Sequence, residues 1–323
     1  MVKICRKKSL DKGRIMKLEI LEGDAVNYLK KIETCSVDII IADPPYNLGK
    51  DYGNNNDQKT FDEYLEFSRN WIKESQRVLK DTGTIYIFMG VRYISYIYSI
   101  LEKEYHFIFN SWITWHYTQG LGKTKGFSPR HDDILMFSKS ENFNFFLDNI
   151  RIPQKYYRSV NNMRGANPGD VWTFSHVHYC NVNRQEHPTQ KPEGLIERMV
   201  LASSKEGDLV IDPFSGSGTT LSVCQQLNRN CIGIELNPQY VQLTKERLNQ
   251  PFTGFDSIDE RMERVPNDLN NTTTRNEYLK NHKTWFLKYH PNAIKTFEDE
   301  VTKKYGLTEN IKKSELELFS DFV

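Results

Sequence analysis

Short apolar runs alternate with amphipathic stretches along most of this chain, and that alternation constrains its fold more than any other feature. Residues 37–42 and 208–212 are brief and rich in β-branched side chains, as buried strands are. Residues 61–79 carry apolar side chains at helical spacing instead. Strands that alternate with helices in this way predict an α/β fold with a mostly parallel, doubly wound sheet.

The same periodicities extend the prediction over residues 17–250. Further strands are predicted at residues 17–20, 84–88, 107–115, 131–137 and 231–235, and further helices at 25–32, 93–101, 193–203, 221–227 and 237–249. Asp24 precedes the first of these helices and is a candidate N-cap. Open α/β sheets bind ligands outside the carboxyl ends of their strands, so the residues that follow each strand are candidate site residues.

Composition excludes several classes of protein. Lys and Arg number 43 against 42 Asp and Glu, so a polyanionic partner would need a local basic surface. No apolar run approaches the roughly 20 residues of a membrane span, and no membrane partner is expected. The five cysteines show neither paired metal-site spacing nor a dense framework, which indicates a reducing, cytoplasmic location.

The tetrapeptide Asp43-Pro44-Pro45-Tyr46 follows the strand predicted at 37–42. Two consecutive prolines fix two φ angles and remove two N–H donors, so the turn is stiff. This combination suits chemistry on the exocyclic amine of a nucleobase. Asp43 and the Pro44 carbonyl can each accept one N–H of the amine, and Tyr46 can stack on a base that has left its helix. An ordinary proline turn is the alternative interpretation.

A second candidate site follows the strand predicted at 208–212, where the chain reads Asp212-Pro213-Phe214-Ser215-Gly216-Ser217-Gly218-Thr219-Thr220. Glycines let the backbone approach a nucleoside, and an acid about 20 residues further on, here Glu235, binds ribose hydroxyls. The dinucleotide fingerprint would place Gly or Ala at position 221, which is Leu221, and the Gly-Lys-Ser/Thr of a P-loop does not occur there. Together with the tetrapeptide, this loop favours S-adenosylmethionine over a nicotinamide dinucleotide as the ligand.

Basic side chains are concentrated in three segments. Residues 1–15 carry six Lys and Arg against one acid, residues 120–126 are rich in Gly and Lys, and residues 149–169 contain no acid. Such side chains can hold phosphates. The candidate DNA-binding residues are Lys123, Lys125, Arg130, Arg151, Lys155, Arg158 and Arg164. A solvated charged surface is the alternative, and for residues 1–15 a flexible arm is favoured.

A metal site is a further alternative, raised by His176, His178, Cys180 and His187. No second Cys/His pair supports it, and the alternation of the first three residues also fits one side of a strand. We therefore predict no bound metal ion.

The joint pattern of motifs resembles the amino-group DNA methyltransferases of bacterial restriction–modification systems, in the permuted β group. Their Asp-Pro-Pro-Tyr motif precedes the cofactor loop, as residues 43–46 here precede a variable segment, residues 187–192 and residues 212–220. The resemblance covers about residues 17–250 and implies a Rossmann-like methyltransferase fold, S-adenosylmethionine as donor, and double-stranded DNA with a flipped-out base. It also implies a target-recognition region at about 140–185.

The resemblance further assigns roles to individual residues. The acid before the catalytic strand matches Asp24, and the motif after the recognition region matches Thr189 and Lys191. The residues expected to bind the cofactor are Asp24, Asp43, Thr189, Lys191, Asp212, Phe214, Ser215, Gly216, Ser217, Gly218, Thr219, Thr220, Glu235 and Asn237. A basic arm at 1–16, a linker at 251–275 and a helical extension at 276–323 lie outside the common core.

The reaction implied by the resemblance is direct methyl transfer to adenine N6, because an Asp at the first motif position is typical of the adenine enzymes. Cytosine N4 is the alternative amine. The expected catalytic residues are Asp43, Pro44, Pro45 and Tyr46, with neither a covalent intermediate nor a metal ion. The rival classes are a nicotinamide oxidoreductase and a DNA-binding module without catalysis. Analogy with the family adds a homodimer and a cognate restriction endonuclease as expected partners, while the recognition sequence cannot be derived from these motifs.

Overall fold

The computed structural model describes residues 16–47, 59–117, 122–152, 165–177 and 190–250. These residues belong to two compact units. The second unit contains residues 147–152 and 165–169, and the first contains all the others. The predicted arm up to residue 15, the linker and the helical extension lie outside the described residues.

The first unit is built on one sheet, of which eight strands are described. In chain order they are β1 (Leu18–Glu22), β2 (Val37–Ala42), β3 (Leu79–Met89), β4 (Ile108–His116), β5 (His131–Ser138), β6 (Val171–Thr173), β7 (Leu209–Asp212) and β8 (Asn230–Glu235). Their spatial order is β1-β8-β7-β2-β3-β5-β4-β6. Every described pair is parallel except the two made by β5, which runs antiparallel to β3 and β4. The predicted mostly parallel sheet is confirmed.

Helices connect these strands. They are α1 (Ala25–Leu29), α2 (Phe61–Val78), α3 (Ile94–Ser99), α4 (Glu193–Ser203), α5 (Thr219–Gln226) and α6 (Pro238–Arg247), and a π-helical segment at Ile100–Glu104 continues α3. Asp24 caps α1 by accepting a hydrogen bond from the Asn27 N–H, and Thr60 and Glu63 form a capping box on α2. Within the described residues, no helix is long and apolar enough to span a membrane.

The start of β3 differs from the sequence-based expectation of a turn at 81–83. The strand already begins at Leu79, and its pairing with β2 shifts register, with Val37 opposite Leu79 but Ile39 opposite Thr84. The residues between these pairs form a bulge. Gly83 is the last of the three expected turn residues, and a Cβ at this position would lie 2.7 Å from Leu79 Cγ. The glycine therefore marks a bulge inside the strand.

One buried apolar cluster holds the central strands in place. Ile40, Ile85 and Ile211 come from the adjacent strands β2, β3 and β7, and they belong to the same cluster as Trp71 and Ile72 of α2. Burial of such side chains contributes about 1.5–3 kcal/mol each. The loops at the carboxyl edge of the sheet are therefore positioned by rigid strands.

Candidate active site

Four neighbouring parallel strands, β1, β8, β7 and β2, end at one edge of the sheet, and each is followed by or ends in an acid. These acids are Asp24, Glu235, Asp212 and Asp43. Strands β2 and β7 pair directly, with Ile39 opposite Val210. The tetrapeptide and the glycine loop, which are far apart in the sequence, therefore follow adjacent strands at the same edge.

Both carboxylate oxygens of Asp43 are engaged. Tyr46 Oη donates to Oδ1 at 2.9 Å, and Lys191 Nζ forms an ion pair with Oδ2. The turn itself is anchored through the Pro45 carbonyl, which accepts a hydrogen bond from Tyr64 Oη at 2.8 Å. A carboxylate offers about four lone-pair sites. The Asp43 side chain is therefore fixed in position and can still accept a further hydrogen bond.

Lys191 connects the two loops. Its Nζ lies 5.7 Å from the ring centroid of Tyr46 and 5.0 Å from that of Phe88, within cation–π range. Its backbone carbonyl accepts a hydrogen bond from Thr219 Oγ1 at 3.3 Å. The family resemblance assigned Lys191 to the cofactor alone. The ion pair with Asp43 was missed because 148 positions separate the two residues and no local pattern links them.

The residue after the tetrapeptide, Asn47, anchors its far end. Asn47 has a φ of 55°, a left-handed conformation that Asn tolerates, and its Nδ2 donates to Tyr93 Oη at 2.8 Å. Gly90 packs against Tyr46, since a Cβ there would lie 3.3 Å from Tyr46 Cδ2. Sequence analysis did not identify Tyr64, Tyr93 or Gly90, because aromatic residues and glycines within apolar segments resemble ordinary core residues.

The glycine loop is shaped by its close approach to α6. Gly216 and Gly218 have φ values of 50° and 74°, in the left-handed region. A Cβ on Gly218 would lie 2.4 Å from Thr244 Cγ2, and Thr244 Oγ1 donates to the Gly216 carbonyl at 3.3 Å. Glycine is therefore required at position 218 by both conformation and space.

A buried ion pair supports the same loop. Arg247 of α6 pairs with Glu193 of α4 at 2.7 Å, and the two side chains are 4% and 6% exposed. The same guanidinium donates to the Ser217 carbonyl at 2.9 Å and to Thr219 Oγ1 at 3.0 Å. The pair ties the loop to two helices. It was missed because charged residues in amphipathic helices are expected on the surface.

Asp212 lies at the end of β7 in a site that disfavours its charge. Burial, with smaller contributions from the charges of Asp43 and Glu235, raises the pKa of Asp212 to about 7. Hydrogen bonds from the Phe214 N–H at 3.1 Å and the Thr220 hydroxyl at 2.6 Å oppose that shift. The carboxyl group is thus poised to change its charge near neutral pH.

Glu235 lies at the end of β8, and burial raises the pKa of this side chain too. Its oxygens accept hydrogen bonds from the N–H groups of Gly216 and Asn237, each at 2.8 Å. The neighbouring Ser215 is 6% exposed, and within the described part of the chain its hydroxyl has no hydrogen-bond partner. The site therefore offers free carboxylate lone pairs and a buried hydroxyl to a polar ligand.

The structure describes only some of the predicted DNA-binding residues. Lys123 and Lys125 are exposed, and Arg130 lies at the end of the same loop, which leads from β4 to β5. Arg151, in the second unit, pairs with Asp148 at 2.6 Å and donates to the Gly165 carbonyl at 2.9 Å. Four predicted site residues lie outside the described residues: Lys155, Arg158, Arg164 and Thr189.

Of the four residues weighed as metal ligands, only His176 is described. Its ring packs against that of Tyr117, with centroids 4.0 Å apart, and against Trp115 at 4.9 Å. The described residues contain no group of three or more His, Cys, Asp or Glu side chains arranged to hold a metal ion.

Known proteins are similar to this chain over most of its length. A family model described as DNA methylase matches residues 37–246. The chain is 62% identical to the Type II methyltransferase M.HpaI of Haemophilus parainfluenzae, over 90% of this chain and 93% of that protein. It is 38% identical to the DNA adenine methyltransferase YhdJ of Escherichia coli K12, over 71% of this chain and 82% of that protein.

Solved structures agree with these relatives. The M1.HpyAVI–SAM complex matches with a TM-score of 0.52 and 25% identity, over 72% of this chain and all of that one. The cytosine-N4-specific PvuII DNA methyltransferase matches with a TM-score of 0.59 over 81% of this chain and 91% of that one. Its identity is 18%, so that likeness concerns the fold alone.

Proposed function

Because this chain belongs to the DNA methylase family, we propose that it transfers a methyl group from S-adenosylmethionine to the N6 amine of adenine in double-stranded DNA. The observation that carries the proposal is the position of Asp43 at the carboxyl end of β2, directly beside β7 and its glycine loop. A donor held by that loop and an amine held by Asp43 meet at one edge of the sheet.

The glycine loop fits S-adenosylmethionine. Glu235 retains lone pairs for ribose hydroxyls, and the buried Ser215 hydroxyl suits a polar ligand group. Acids around the loop, when ionised, also attract the cationic sulfonium of such a ligand. When bound, S-adenosylmethionine supplies an electrophilic methyl group. The cofactor-binding residues named from the sequence are proposed to hold it.

The tetrapeptide is proposed to activate the amine. Asp43 accepts one N–H and the Pro44 carbonyl accepts the other, which concentrates the lone pair on nitrogen. Tyr46 stacks on the flipped base, an interaction worth about 1–3 kcal/mol. The N–C bond would form as the bond between the methyl carbon and sulfur breaks, with S-adenosylhomocysteine as the leaving group. The Asp43 carboxylate would stabilise the positive charge that develops on nitrogen and can accept the proton that the amine loses. Pro45 keeps the turn stiff.

Adenine is proposed as the target base on two grounds. The Escherichia coli relative is named as an adenine methyltransferase, and the tetrapeptide begins with Asp43, which resembles the adenine enzymes. Cytosine N4 is the second candidate amine, since the same tetrapeptide can hold any exocyclic amine.

The direct test is incubation with unmethylated DNA and labelled S-adenosylmethionine, followed by nucleoside analysis. The expected product is N6-methyladenine, and N4-methylcytosine would select the alternative amine instead. Asp43→Ala is expected to lower single-turnover methyl transfer by at least about 100-fold, because it removes the charge and the acceptor that face the reacting nitrogen.

Cofactor binding controls for the fold of this variant. Asp43→Ala should still bind S-adenosylmethionine, with an affinity lowered by at most about tenfold, because Asp43 is only one of the residues proposed to hold the cofactor. Asp43→Asn, which keeps one acceptor oxygen, should retain more activity than Asp43→Ala. Wild-type turnover in Asp43→Ala would remove Asp43 from its proposed role.

The similarity of this chain to proteins named Type II methyltransferases indicates a biological setting. We propose that the chain is the cytoplasmic modification enzyme of a restriction–modification system, with a cognate endonuclease that acts on the same site. A nuclease from the same cells that spares only DNA methylated by this chain would establish that partner. A homodimer is also proposed, and sedimentation velocity of the full chain tests it.

The basic residues proposed to contact DNA are Lys123, Lys125, Arg130, Arg151, Lys155, Arg158 and Arg164. The proposed catalytic domain spans residues 17–250 and contains a target-recognition region at about 140–185. The DNA contacts are assigned from the position of basic side chains in the sequence and from the exposure of Lys123 and Lys125. The bounds of the domain and of the recognition region are assigned from the resemblance to the methyltransferase family.

A further inference from the structure

Phe127 is the most exposed large apolar side chain in the described part of the chain. Its relative exposure is 100%, against 71% for Val91, the next highest. Single exposed apolar residues are common on protein surfaces. Its position and its neighbours must therefore decide whether Phe127 has a function.

The backbone around Phe127 is arranged to present the ring. The Lys123 N–H donates to Ser128 Oγ at 2.8 Å, which closes the end of the loop. Gly126 has a φ of 81°, and a Cβ there would meet nothing within 4 Å. Glycine is thus required at position 126 by backbone conformation and not by lack of space. At the base of the loop, the Tyr117 N–H donates to the Arg130 carbonyl at 3.0 Å.

The loop lies at the same edge of the sheet as the catalytic tetrapeptide. Strand β5 is antiparallel to both β3 and β4, so β3 and β4 run in the same direction as β2. The carboxyl end of β4, where this loop starts, is therefore on the edge that bears Asp43. Strands β2 and β4 are three strand spacings apart in the sheet, which is roughly 14 Å at 4.7–4.9 Å per spacing. The width of a DNA major groove, about 12 Å, is similar.

The charges beside Phe127 define its partner. Lys123 and Lys125 are exposed on the same short loop, and such lysines hold phosphates. A phenyl ring gains nothing from phosphates or from water. The apolar part of a nucleic acid is its base stack, where aromatic side chains bind by stacking.

We propose that Phe127 enters the base stack of bound DNA and occupies the space left when the target base leaves the helix. The inference rests on the proposed function, because base flipping is what creates such a space. Apolar side chains that insert between base steps open a duplex in other DNA-binding proteins. Lys123 and Lys125 bind the flanking phosphates while the ring of Phe127 stacks on the unpaired partner base.

The test compares two duplexes that contain the methylation site, which is mapped beforehand from DNA methylated by the unmodified full chain. One duplex is fully paired, and the other carries an abasic position opposite the target adenine. Phe127→Ala is expected to lower kcat/KM by roughly ten- to a hundredfold on the paired duplex, the value of one base stack. On the abasic duplex, where no partner base is left to hold, the loss should be within about twofold.

A second readout follows the base itself. With 2-aminopurine in place of the target adenine, the fluorescence increase on binding should be smaller for Phe127→Ala than for the unmodified chain. Phe127→Trp keeps a stacking ring and should restore both the fluorescence increase and the rate on the paired duplex.

Phe109→Ala is the matched control. Phe109 is 39% exposed and lies at the amino end of β4, at the opposite edge of the sheet from Phe127 and outside the proposed target-recognition region. This variant should leave kcat/KM on both duplexes and the 2-aminopurine fluorescence increase unchanged.

Three results would overturn the inference. They are an unchanged rate of Phe127→Ala on the paired duplex, an equal loss on both duplexes, and a change of oligomeric state in sedimentation, which would make Phe127 a contact between copies. A complete lack of methyl transfer by the unmodified chain would overturn the proposed function as well. This result is distinct from the three above, because it is seen without any variant of Phe127.

Discussion

At the scale of one residue, Asp212 shows how burial changes the ionisation of a side chain in the site. Its carboxyl group is buried at the end of β7, and two other acids of the site, Asp43 and Glu235, follow or end the strands on either side. Burial opposes ionisation, so the pKa of Asp212 rises to about 7 from an ordinary value of 3.8. The pH dependence of stability should therefore report this residue.

A carboxyl group with a raised pKa stabilises the folded protein most when it is protonated. Below the unfolded pKa the contribution of Asp212 is fully present, and it is lost as pH rises through about 7. Asp212→Asn stays neutral at every pH. Between pH 5 and pH 8 the unmodified chain should therefore lose about 2–3 kcal/mol more free energy of unfolding than the variant. Urea unfolding at both pH values measures this, and parallel losses in the two proteins would contradict it.

At the scale of the element, the glycine loop depends on its fit against α6. Gly218 and Gly169 have nearly equal φ values, 74° and 75°, but differ in their surroundings. A Cβ would meet Thr244 Cγ2 at 2.4 Å at position 218 and nothing within 4 Å at position 169. These two glycines separate backbone strain from lack of space.

Substitution by alanine should reveal that difference. Gly169→Ala carries only the left-handed conformation and should cost about 1–2 kcal/mol of stability. Gly218→Ala adds a steric clash and should cost about 2–5 kcal/mol, with weaker binding of S-adenosylmethionine. Thermal or urea denaturation and a cofactor titration measure both effects. Equal costs at the two positions would show that the contact with Thr244 is unimportant.

The ion pair between α4 and α6 is a second element-scale device. Glu193 and Arg247 are almost wholly buried. Removal of one partner therefore leaves the charge of the other buried without a counter-ion. Arg247→Met should cost about 3–5 kcal/mol of stability, and the double variant Glu193→Gln with Arg247→Met should cost less than the two single changes added together.

A double-mutant cycle in urea isolates the coupling between the two residues. Arg247 also holds the Ser217 carbonyl, so Arg247→Met should in addition weaken cofactor binding, while Glu193→Gln should weaken it less. Additive costs without any effect on cofactor affinity would reduce the pair to an ordinary packing contact.

At the scale of the whole molecule, the distribution of charge matters more than its sum. The net charge is +1, so affinity for DNA must come from a local basic surface. Lys123 and Lys125, which are exposed at the edge of the sheet that bears the tetrapeptide, are proposed to supply part of such a surface. Electrostatic binding of this kind depends steeply on salt concentration.

Neutralising these lysines should change the salt dependence. Lys123→Gln with Lys125→Gln should reduce the slope of log K against log salt by roughly 2, because each phosphate contact contributes about 0.9. Lys30→Gln serves as the control. Lys30 is exposed and lies at the end of α1, in the segment that leads to the amino end of β2 and so to the edge of the sheet opposite the tetrapeptide. Fluorescence anisotropy with labelled duplex at several salt concentrations measures the slope. A slope equal in both variants would exclude these lysines from the DNA contact.

Most strands and helices of the described residues were predictable, because their signals are local. The runs at 37–42 and 61–79 became β2 and α2 almost without change in their bounds. The short strand β6 was not predicted, since it has three residues and no alternating pattern long enough to recognise. The π-helical end of α3 also escaped prediction, because an apolar spacing does not distinguish it from an α-helix.

The sequence by itself determined the alternation of strands and helices, the stiff tetrapeptide and the glycine loop, since each depends on residues close together in the chain. Only the tertiary structure decided that β2 and β7 are neighbours, that Lys191 pairs with Asp43 and that Arg247 lies buried beneath the loop. These features come from pairings between distant segments, whose choice depends on burial and packing of the whole sheet. A local pattern carries no record of such pairings.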